Sequence, residues 1–433
     1  MSEPQAPKAH RAGTHRVISP EQTLELVRPF FQAAGITRVA DITGLDRIGL
    51  PVVTVCRPNS RSVAVALGKG ADLAAARASG VMEAIEDAMA ERAGLPMILG
   101  SVNDLRSSHP LINVDELPKR TDSRYHPDLP QLWVEGRDLM TQTPRWVPYE
   151  VVHTAYTLPR PTGTGCFVAS SNGLASGNHL LEAISHGICE LAERDAATLH
   201  SVRDQGRRAQ CQVDQGTIDD QRCAEALDRI SRAGLATIIV DITSDLGIPA
   251  FACLVGEQRG DGAWTGYLAD GMGCHPDPAV ALLRALTEAA QDRLAFISGV
   301  RDHPEGWDQA LRYRPLSSGD PAPFPRAGAA RPFIAAGGLC SDSLDADVAW
   351  ELAALRAAGI GEVVAVDLTR EDLGIPVARV VIPGLEGPAT TTRSCRLGRR
   401  AMEVIGASER AGDAGERGLP LPWPHASRLG GDG

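Results

Sequence analysis

The sequence is short of aromatic residues and carries an acidic excess. Aromatic side chains make up 4% of its 433 residues, too few for the stacking platforms on which proteins bind single-stranded nucleic acid. A formal net charge of −11 also argues against a phosphate-backbone partner. The charge does not exclude a nucleotide, because acidic sites hold nucleotides through Mg²⁺. We therefore expect no nucleic-acid partner.

The cysteines show no pairing pattern. Nine of them are scattered along the chain and no Cys-x-x-Cys occurs. The odd count and the lack of a secretory signal predict reduced thiols in a cytoplasmic protein and no zinc site. No apolar run approaches the roughly 18 residues needed to cross a bilayer, which predicts no membrane span. Residues 1–18 are polar and basic, and we expect them to form a disordered tail.

A strand–turn–strand pattern occurs three times. Its copies are residues 35–51, 234–249 and 359–376. Each is a β-rich run ending in Asp-Ile/Leu-Thr, followed by a polar turn and by Gly-Ile/Leu-Pro before another apolar run. Because proline cannot donate to a sheet ladder, Pro51, Pro249 and Pro376 predict strand starts or edges. The repeat predicts a pseudo-repetitive sheet core.

Long helices alternate with these strand pairs. Apolar residues recur at helical spacing in 73–93, 178–200 and 277–298. The alternation predicts an α/β (α+β) fold, with helices packed on a mostly antiparallel or mixed sheet.

The predicted organisation is one main domain between two tails. We expect the domain over 19–407, with peripheral insertions near 95–147 and 300–335. A flexible Gly/Pro-rich tail is expected over 408–433.

Two of the predicted helices carry acidic side chains on one face. On the first, Ser79, Glu83 and Glu86 fall within an arc of roughly 60°. The face of the second carries Glu182, His186, Glu190 and Glu193. Few basic residues lie four positions away to offset the repulsion between these acids. Buried carboxylates without basic partners require a cation, and Mg²⁺ prefers hard oxygen ligands; a solvated helix face is the other interpretation.

Residues suited to phosphate flank these helices. Lys69 lies in a Gly-flanked loop before the first acidic helix, and Asn178 precedes the second. Arg194 follows Glu193, while Gln291 and Arg293 lie on the third helix. No Walker A motif occurs, so a P-loop is not predicted. The lysine, the arginines and the acidic cluster together predict a site for a triphosphate with magnesium.

Three blocks of sequence resemble the YcaO family. The first is Gly-Lys-Gly followed by Ser-x-x-x-Glu-x-x-Glu, matched by Lys69, Ser79, Glu83 and Glu86. The second is matched by SNGLASGNHLLEA at 171–183 and ELAER at 190–194, and the third by GCHPDPAVALLRALTEAAQDR at 273–293. The blocks stand in the order of the family and span roughly residues 35–405.

The resemblance implies a YcaO-type fold around an ATP cleft, with ATP and Mg²⁺ as cofactors. By position it implies four magnesium ligands, which also act as the catalytic set: Glu83, Glu86, Glu190 and Glu193. It further implies a nucleotide-lining set of Lys69, Ser79, Asn178, Glu182, Arg194, Gln291 and Arg293. The implied reaction phosphorylates the oxygen of a peptide-backbone amide, which turns a poor leaving group into a good one.

Residues 35–70 are most similar to the YcaO proteins that work with a TfuA partner. This similarity implies backbone thioamidation of a ribosomal peptide or protein with a sulfide donor, aided by a TfuA-like partner protein. The alternative is an azoline-forming cyclodehydratase, and the alternating prolines Pro420, Pro422 and Pro424 resemble the tail of such enzymes. A non-catalytic YcaO scaffold is a further alternative. The resemblance also favours a homodimer.

Overall fold

The computed structural model describes residues 6–260, 264–300, 330–333, 337–387 and 395–410, without the side chains of residues 205, 409 and 410. The α-helices are α1 Pro20–Val27, α2 Leu73–Ala90, α3 Val102–Leu105, α4 Leu180–Ser201, α5 Gln205–Ala209, α6 Gln221–Arg232, α7 Pro278–Ser298, α8 Leu344–Ala357 and α9 Arg399–Arg410. The strands are β1 Arg38–Asp41, β2 Val52–Cys56, β3 Val65–Lys69, β4 Met97–Gly100, β5 Gln131–Asp138, β6 Pro144–Pro148, β7 Leu174–Ser176, β8 Val213–Asp214, β9 Ala236–Asp241, β10 Ala250–Gln258, β11 Trp264–Cys274, β12 Arg331–Pro332, β13 Val364–Asp367 and β14 Val377–Val381. The mixed α+β architecture confirms the predicted fold class.

Most of these strands form three antiparallel sheets. One has the order β1-β2-β3, another β11-β10-β9, and the largest β4-β5-β13-β14-β7 with β6 added on β5. Strands β8 and β12 form a separate parallel pair. No helix in the described part of the chain is long and apolar enough to cross a membrane.

The three predicted strand–turn–strand copies form the same turn. In each, the aspartate side chain accepts the main-chain N–H of the threonine two residues later at 2.8 to 3.0 Å. The threonine hydroxyl then accepts the first main-chain N–H of the following strand at 3.1 or 3.2 Å. The pairs are Asp41 with Thr43, Asp241 with Thr243, and Asp367 with Thr369. Short polar side chains that bond the nearby backbone fix such turns, so the predicted repeat is confirmed.

Each of these strand pairs belongs to a larger unit of three antiparallel strands and one long helix. The first unit is β1-β2-β3-α2 and the second is β9-β10-β11-α7. The third unit takes its strands β13 and β14 from late in the chain. Its last strand and helix, β7 and α4, come earlier. We call them the first, second and third meander units.

The meander units pack in a cycle. Helix α7 contacts β3 of the first unit, α2 contacts β7 of the third, and α4 contacts β11 of the second. The last residue of each of these strands reaches the contacted helix. Lys69 pairs with Glu288, Ser176 donates to Glu86, and the Cys274 thiol acts on Cys189, whose pKa it raises. The three long helices are therefore held around one common centre.

Glycines allow the helices to lie directly on the last strands. A Cβ on Gly68 of β3 would stand 2.0 Å from the carbonyl oxygen of Ala76 on α2. A Cβ on Gly273 of β11 would stand 2.1 Å from the carbonyl oxygen of Ala281 on α7. Both distances are far below contact distance, so only glycine permits this close approach. The packing fixes the position of α2 and α7 relative to their own sheets.

The N-terminal segment, residues 6–18, is bound to the body of the protein. Lys8 forms an ion pair of 2.5 Å with Asp347, and neither side chain is exposed. The main-chain N–H of Ala6 donates to Asp345 at 2.8 Å. The prediction of a disordered tail is therefore wrong for these residues. It failed because the partners of Ala6 and Lys8 lie more than 300 positions away in the sequence.

The region 95–147 is not peripheral as a whole. Strand β5 pairs with β13 inside the largest sheet, and Trp133 on β5 is fully buried. Prolines and polar residues around β5 suggested an insertion, but the strand itself completes the sheet core. The predicted insertion near 300–335 and the predicted Gly/Pro-rich tail over 408–433 lie almost entirely outside the described residues.

Candidate functional site

The three long helices carry acidic or amide side chains at equivalent positions. The eleventh and fourteenth residues of each helix are Glu83 and Glu86 on α2, Glu190 and Glu193 on α4, and Glu288 and Gln291 on α7. All six line one cleft with a volume of about 350 Å³. Because the helices pack in a cycle, the repeated spacing brings these side chains to one place.

The cleft also collects most of the other residues that the sequence suggested. Its lining includes Lys69, Ser79, Asn178, Glu182 and Arg194. Gln291 also belongs to it, and its amide donates to the carbonyl oxygen of Leu67 at 2.7 Å. Ten of the eleven predicted side chains therefore surround the same space.

Arg293 is the exception. It is not among the residues that line the cleft, and its guanidinium pairs with Asp46 at 2.9 Å. Two helix positions correspond to a rotation of about 200°, so a residue two places after Gln291 faces away from the cleft. The structure does not support the predicted contact of Arg293 with a nucleotide.

Burial makes the acidic side chains costly to ionise. Burial raises the pKa of Glu193 to about 7; Arg194 opposes this rise and Glu288 adds to it. The pKa of Glu86 lies well above its ordinary value, again through burial, although the Ser176 hydroxyl donates to it at 2.7 Å. Burial also raises the pKa of Glu190, whose carboxylate accepts the main-chain N–H of Gly173 at 2.9 Å. A bound cation would remove this cost.

Two basic side chains stand among these acids. Lys69 forms an ion pair with Glu288. Burial works against the charge of Arg194, but Glu193 and Glu190 hold its pKa above the ordinary value. The Nε–H of Arg194 is buried and has no hydrogen-bond partner in the described structure. The arrangement offers donors for an anion beside carboxylates for a cation.

The sequence reasoning missed four charged residues of the cleft, namely Arg16, Arg284, Glu288 and Asp87. Arg16 pairs with Glu182 at 3.3 Å but lies in the segment that was predicted to be disordered. Arg284 lines the cleft and donates to the carbonyl oxygen of Cys274 at 3.0 Å. Glu288 also lines the cleft. The sequence held a signal for this residue, because Glu288-x-x-Gln291 repeats the Glu-x-x-Glu spacing of the other two helices with one amide.

His186 forms part of the cleft wall as a neutral residue. Burial holds its pKa well below the ordinary value, and the positive charges of Arg284 and Arg16 lower it further. A neutral imidazole among arginines can accept a hydrogen bond but carries no charge of its own.

The acidic side chains do not form a complete metal cage. Among the described residues, no three acidic, histidine or cysteine side chains converge on a point that could hold a metal ion. Mg²⁺ is commonly held by one or two carboxylates together with substrate phosphates, rather than by protein ligands alone. Buried carboxylates beside the unpartnered Nε–H of Arg194 therefore fit a magnesium ion that arrives with a phosphate ligand.

Comparison with known proteins agrees with this chemistry. A family model described as "YcaO cyclodehydratase, ATP- and Mg2+-binding" matches residues 67–386. A protein of Rhizobium leguminosarum bv. trifolii, described as uncharacterised and in the tfuA 3' region, is 35% identical over 411 residues. The alignment covers 91% of this chain and 94% of the relative.

Two solved structures share the fold. YcaO from Methanopyrus kandleri bound with AMPPCP and Mg²⁺ matches with a TM-score of 0.70 at 22% identity, over 91% of this chain and 99% of that one. A heterocyclase in complex with substrate and cofactor also gives a TM-score of 0.70, at 23% identity. That match covers 89% of this chain and 54% of the heterocyclase, so the chain spans about half of that protein.

Proposed function

The chain belongs to the YcaO family, and from this premise we propose that it uses ATP to phosphorylate the oxygen of a peptide-backbone amide. The predicted family is thereby confirmed. The predicted cofactors ATP and Mg²⁺ are confirmed as well, because the family model is described as binding both. The reaction, the peptide and the roles of individual residues are our proposal.

The observation that carries the proposal is the composition of the cleft. Carboxylates from three helices face the basic side chains of Lys69, Arg194 and Arg16 in one space. A phosphate chain needs both the basic donors and the magnesium that the carboxylates can hold. A binding scaffold would have no need of buried acids that are costly to ionise.

Each residue set has a proposed part. The magnesium ligands are Glu83, Glu86, Glu190 and Glu193. The nucleotide-lining set is Lys69, Ser79, Asn178, Glu182, Arg194 and Gln291, to which the geometry adds Arg16 and Arg284. Arg293 is left out because it faces Asp46.

ATP with Mg²⁺ supplies the γ-phosphoryl group for the reaction. The bond from the γ-phosphorus to the β-bridging oxygen breaks, its electron pair leaves with ADP, and a bond to the amide oxygen forms. A nucleophile then adds to the amide carbon, and phosphate leaves with the electrons of the carbon–oxygen bond. The side chains of the cleft position the groups and neutralise charge, which is the main contribution of a protein to phosphoryl transfer.

We propose a thioamide as the product, formed with a TfuA-like partner protein and a sulfide donor. The support is the relative at 35% identity whose description places it in the tfuA 3' region. An azoline made by cyclodehydration is the second candidate, and it is favoured by the word cyclodehydratase in the description of the family model. The two products share the amide activation and differ in the nucleophile.

Mass spectrometry of a candidate peptide tests the proposal. The peptide is incubated with the protein, a TfuA-like partner, ATP, Mg²⁺ and sulfide. Replacement of one oxygen by sulfur identifies a thioamide, while the loss of one water identifies an azoline. Glu193→Gln should abolish either change, and Glu257→Gln, at an exposed ion pair with Arg47, should not. ATP binding without ATP consumption on any tested peptide and partner would favour the non-catalytic scaffold.

A further inference from the structure

Arg379 on β14 is a buried cation that lacks an ion-pair partner within the described structure. Only 3% of it is exposed. One nitrogen, Nη2, donates to the carbonyl oxygen of Ser170 at 2.7 Å. The N–H groups on Nε and Nη1 have no hydrogen-bond partner among the residues that the structure describes. A buried guanidinium with free donors is costly unless an anion compensates it.

His153, whose pKa is lowered by burial and by the charge of Arg379, and the adjacent Thr154 add two more unpartnered polar groups among the described residues. The Nδ1 atom of His153 accepts the main-chain N–H of Ala155 at 3.1 Å, which places the ring proton on Nε2. That Nε2–H and the Thr154 hydroxyl are buried without a partner among the described residues. Burial and the neighbouring charges of Arg379 and Arg160 lower the pKa of His153 to about 4, so the ring stays neutral. The group thus contains unpartnered guanidinium and imidazole donors and one hydroxyl.

A short loop connects Arg379 to Glu190 of the cleft. Arg379 holds the loop at Ser170, and the Gly173 N–H of the same loop donates to the Glu190 carboxylate. The main-chain N–H of Val380 donates to the carbonyl oxygen of Gly173 at 2.7 Å. Arg379 therefore stands directly behind a proposed magnesium ligand. Neither Arg379 nor His153 lines the cleft itself.

The Tyr156 side chain is buried near charges of both this donor group and the cleft. Burial raises the pKa of Tyr156 to about 12, with Arg379 opposing the rise and Asp87, which lines the cleft, adding to it. The loop that carries Tyr156 is exposed at its tip, where 76% of Leu158 is accessible. Because neither Arg379 nor His153 lines the cleft, a ligand from the cleft could reach these donors only if this exposed loop opened.

We propose that Arg379 and His153 form the site that holds the phosphoryl group once it has left ADP, as a phosphate-binding site distinct from the contacts that bind ATP. The inference rests on the proposed function, since it places the transferred phosphoryl group beside Glu190. Arginine suits this role because its planar donors match phosphate oxygens. The neutral His153 supplies one further N–H without adding charge.

Binding of inorganic phosphate tests the site without any peptide. Calorimetry first measures the affinity of the protein for Mg²⁺–ADP. It then measures the affinity for phosphate of the protein that is saturated with Mg²⁺–ADP. Arg379→Gln should bind Mg²⁺–ADP as the wild type does and bind phosphate about tenfold more weakly. His153→Phe keeps the ring stacked on Tyr149 but removes the donor, so it should weaken phosphate binding. His153→Gln, which restores an N–H, should recover it.

The outcomes separate the inference from the proposed function. A wild-type protein that binds Mg²⁺–ADP but no phosphate would overturn the inference alone. Failure of the wild type to bind Mg²⁺–ADP would remove the nucleotide site and the inference with it. If Arg379→Gln does not fold, the two His153 variants test the site instead. Equal phosphate affinity of His153→Phe and His153→Gln refutes the site.

Discussion

Glu182 on α4 accepts the main-chain N–H of Val17 at 3.0 Å, although 165 positions separate the two residues. The same carboxylate pairs with Arg16 and accepts the side-chain amide of Asn178 at 3.2 Å. One buried acid thereby ties the N-terminal segment to the first turn of the helix that carries Glu190 and Glu193. The segment forms one wall of the proposed nucleotide site.

Replacement of Arg16 tests the role of this wall. Arg16→Gln should weaken the binding of Mg²⁺–AMPPCP about tenfold, because a charge-assisted contact to phosphate is lost. Calorimetry measures the affinity. Arg11→Gln is the matched control, since Arg11 lies on the same segment and forms its ion pair with the exposed Asp342. Equal affinities of the two variants would show that Arg16 does not contact the nucleotide.

The anchor of the segment is expected to contribute strongly to stability. Lys8→Met leaves Asp347 buried without its partner, which should lower the free energy of unfolding by about 3–5 kcal/mol. Urea denaturation measures the change. The double variant Lys8→Met/Asp347→Leu should recover most of the loss, because two apolar side chains can replace a buried pair. Arg11→Met removes an exposed ion pair. If Lys8→Met lowered the free energy of unfolding by less than Arg11→Met, the prediction would be contradicted.

His153 should make the protein less stable in mild acid. Its ordinary pKa is 6.5, and burial lowers it to about 4 in the folded protein. Between these values the unfolded chain binds a proton that the folded protein does not, so stability falls as the pH falls from 6.5 to 4. The contribution is up to about 3 kcal/mol. Denaturation curves should show that the stability of His153→Phe falls less than that of the wild type between pH 6.5 and 4. His126→Phe, which replaces an exposed histidine, should follow the wild type.

Magnesium should be required for tight nucleotide binding, and Glu193 should carry part of that requirement. Removal of Mg²⁺ with EDTA should weaken AMPPCP binding to the wild type by about tenfold or more. In Glu193→Gln the effect of EDTA should be smaller, because one proposed ligand is already lost. Glu257→Gln should behave as the wild type. An undiminished response to EDTA in Glu193→Gln would remove this residue from the metal site.

The sequence predicted the repeated local structure well. The turns at Asp41, Asp241 and Asp367 follow from side chains that bond to their own backbone, and such local signals survive in any tertiary context. The long helices follow from apolar spacing. Hence the acidic faces could be placed on α2 and α4 before the structure was known.

Long-range contacts were the part that the sequence did not reveal. Arg16 looks like one more basic residue in a polar terminus, because its partner Glu182 is distant in the sequence. Arg293 matched a motif, but only the docking of α7 shows that it faces Asp46. The burial of Trp133 likewise depends on strands that join β5 from elsewhere in the chain.

The cyclic arrangement of the meander units has a consequence for the orientation of a ligand in the cleft. Three identical units would present six carboxylates and the same strand-end residue three times, so a ligand could lie in any of three equivalent ways. The actual units differ: Gln291 replaces a glutamate, and the strand ends are Lys69, Ser176 and Cys274. Only one wall offers a lysine and only one an amide at these positions. This divergence gives the cleft a polarity, and a nucleotide with unlike ends can be accepted in a single orientation.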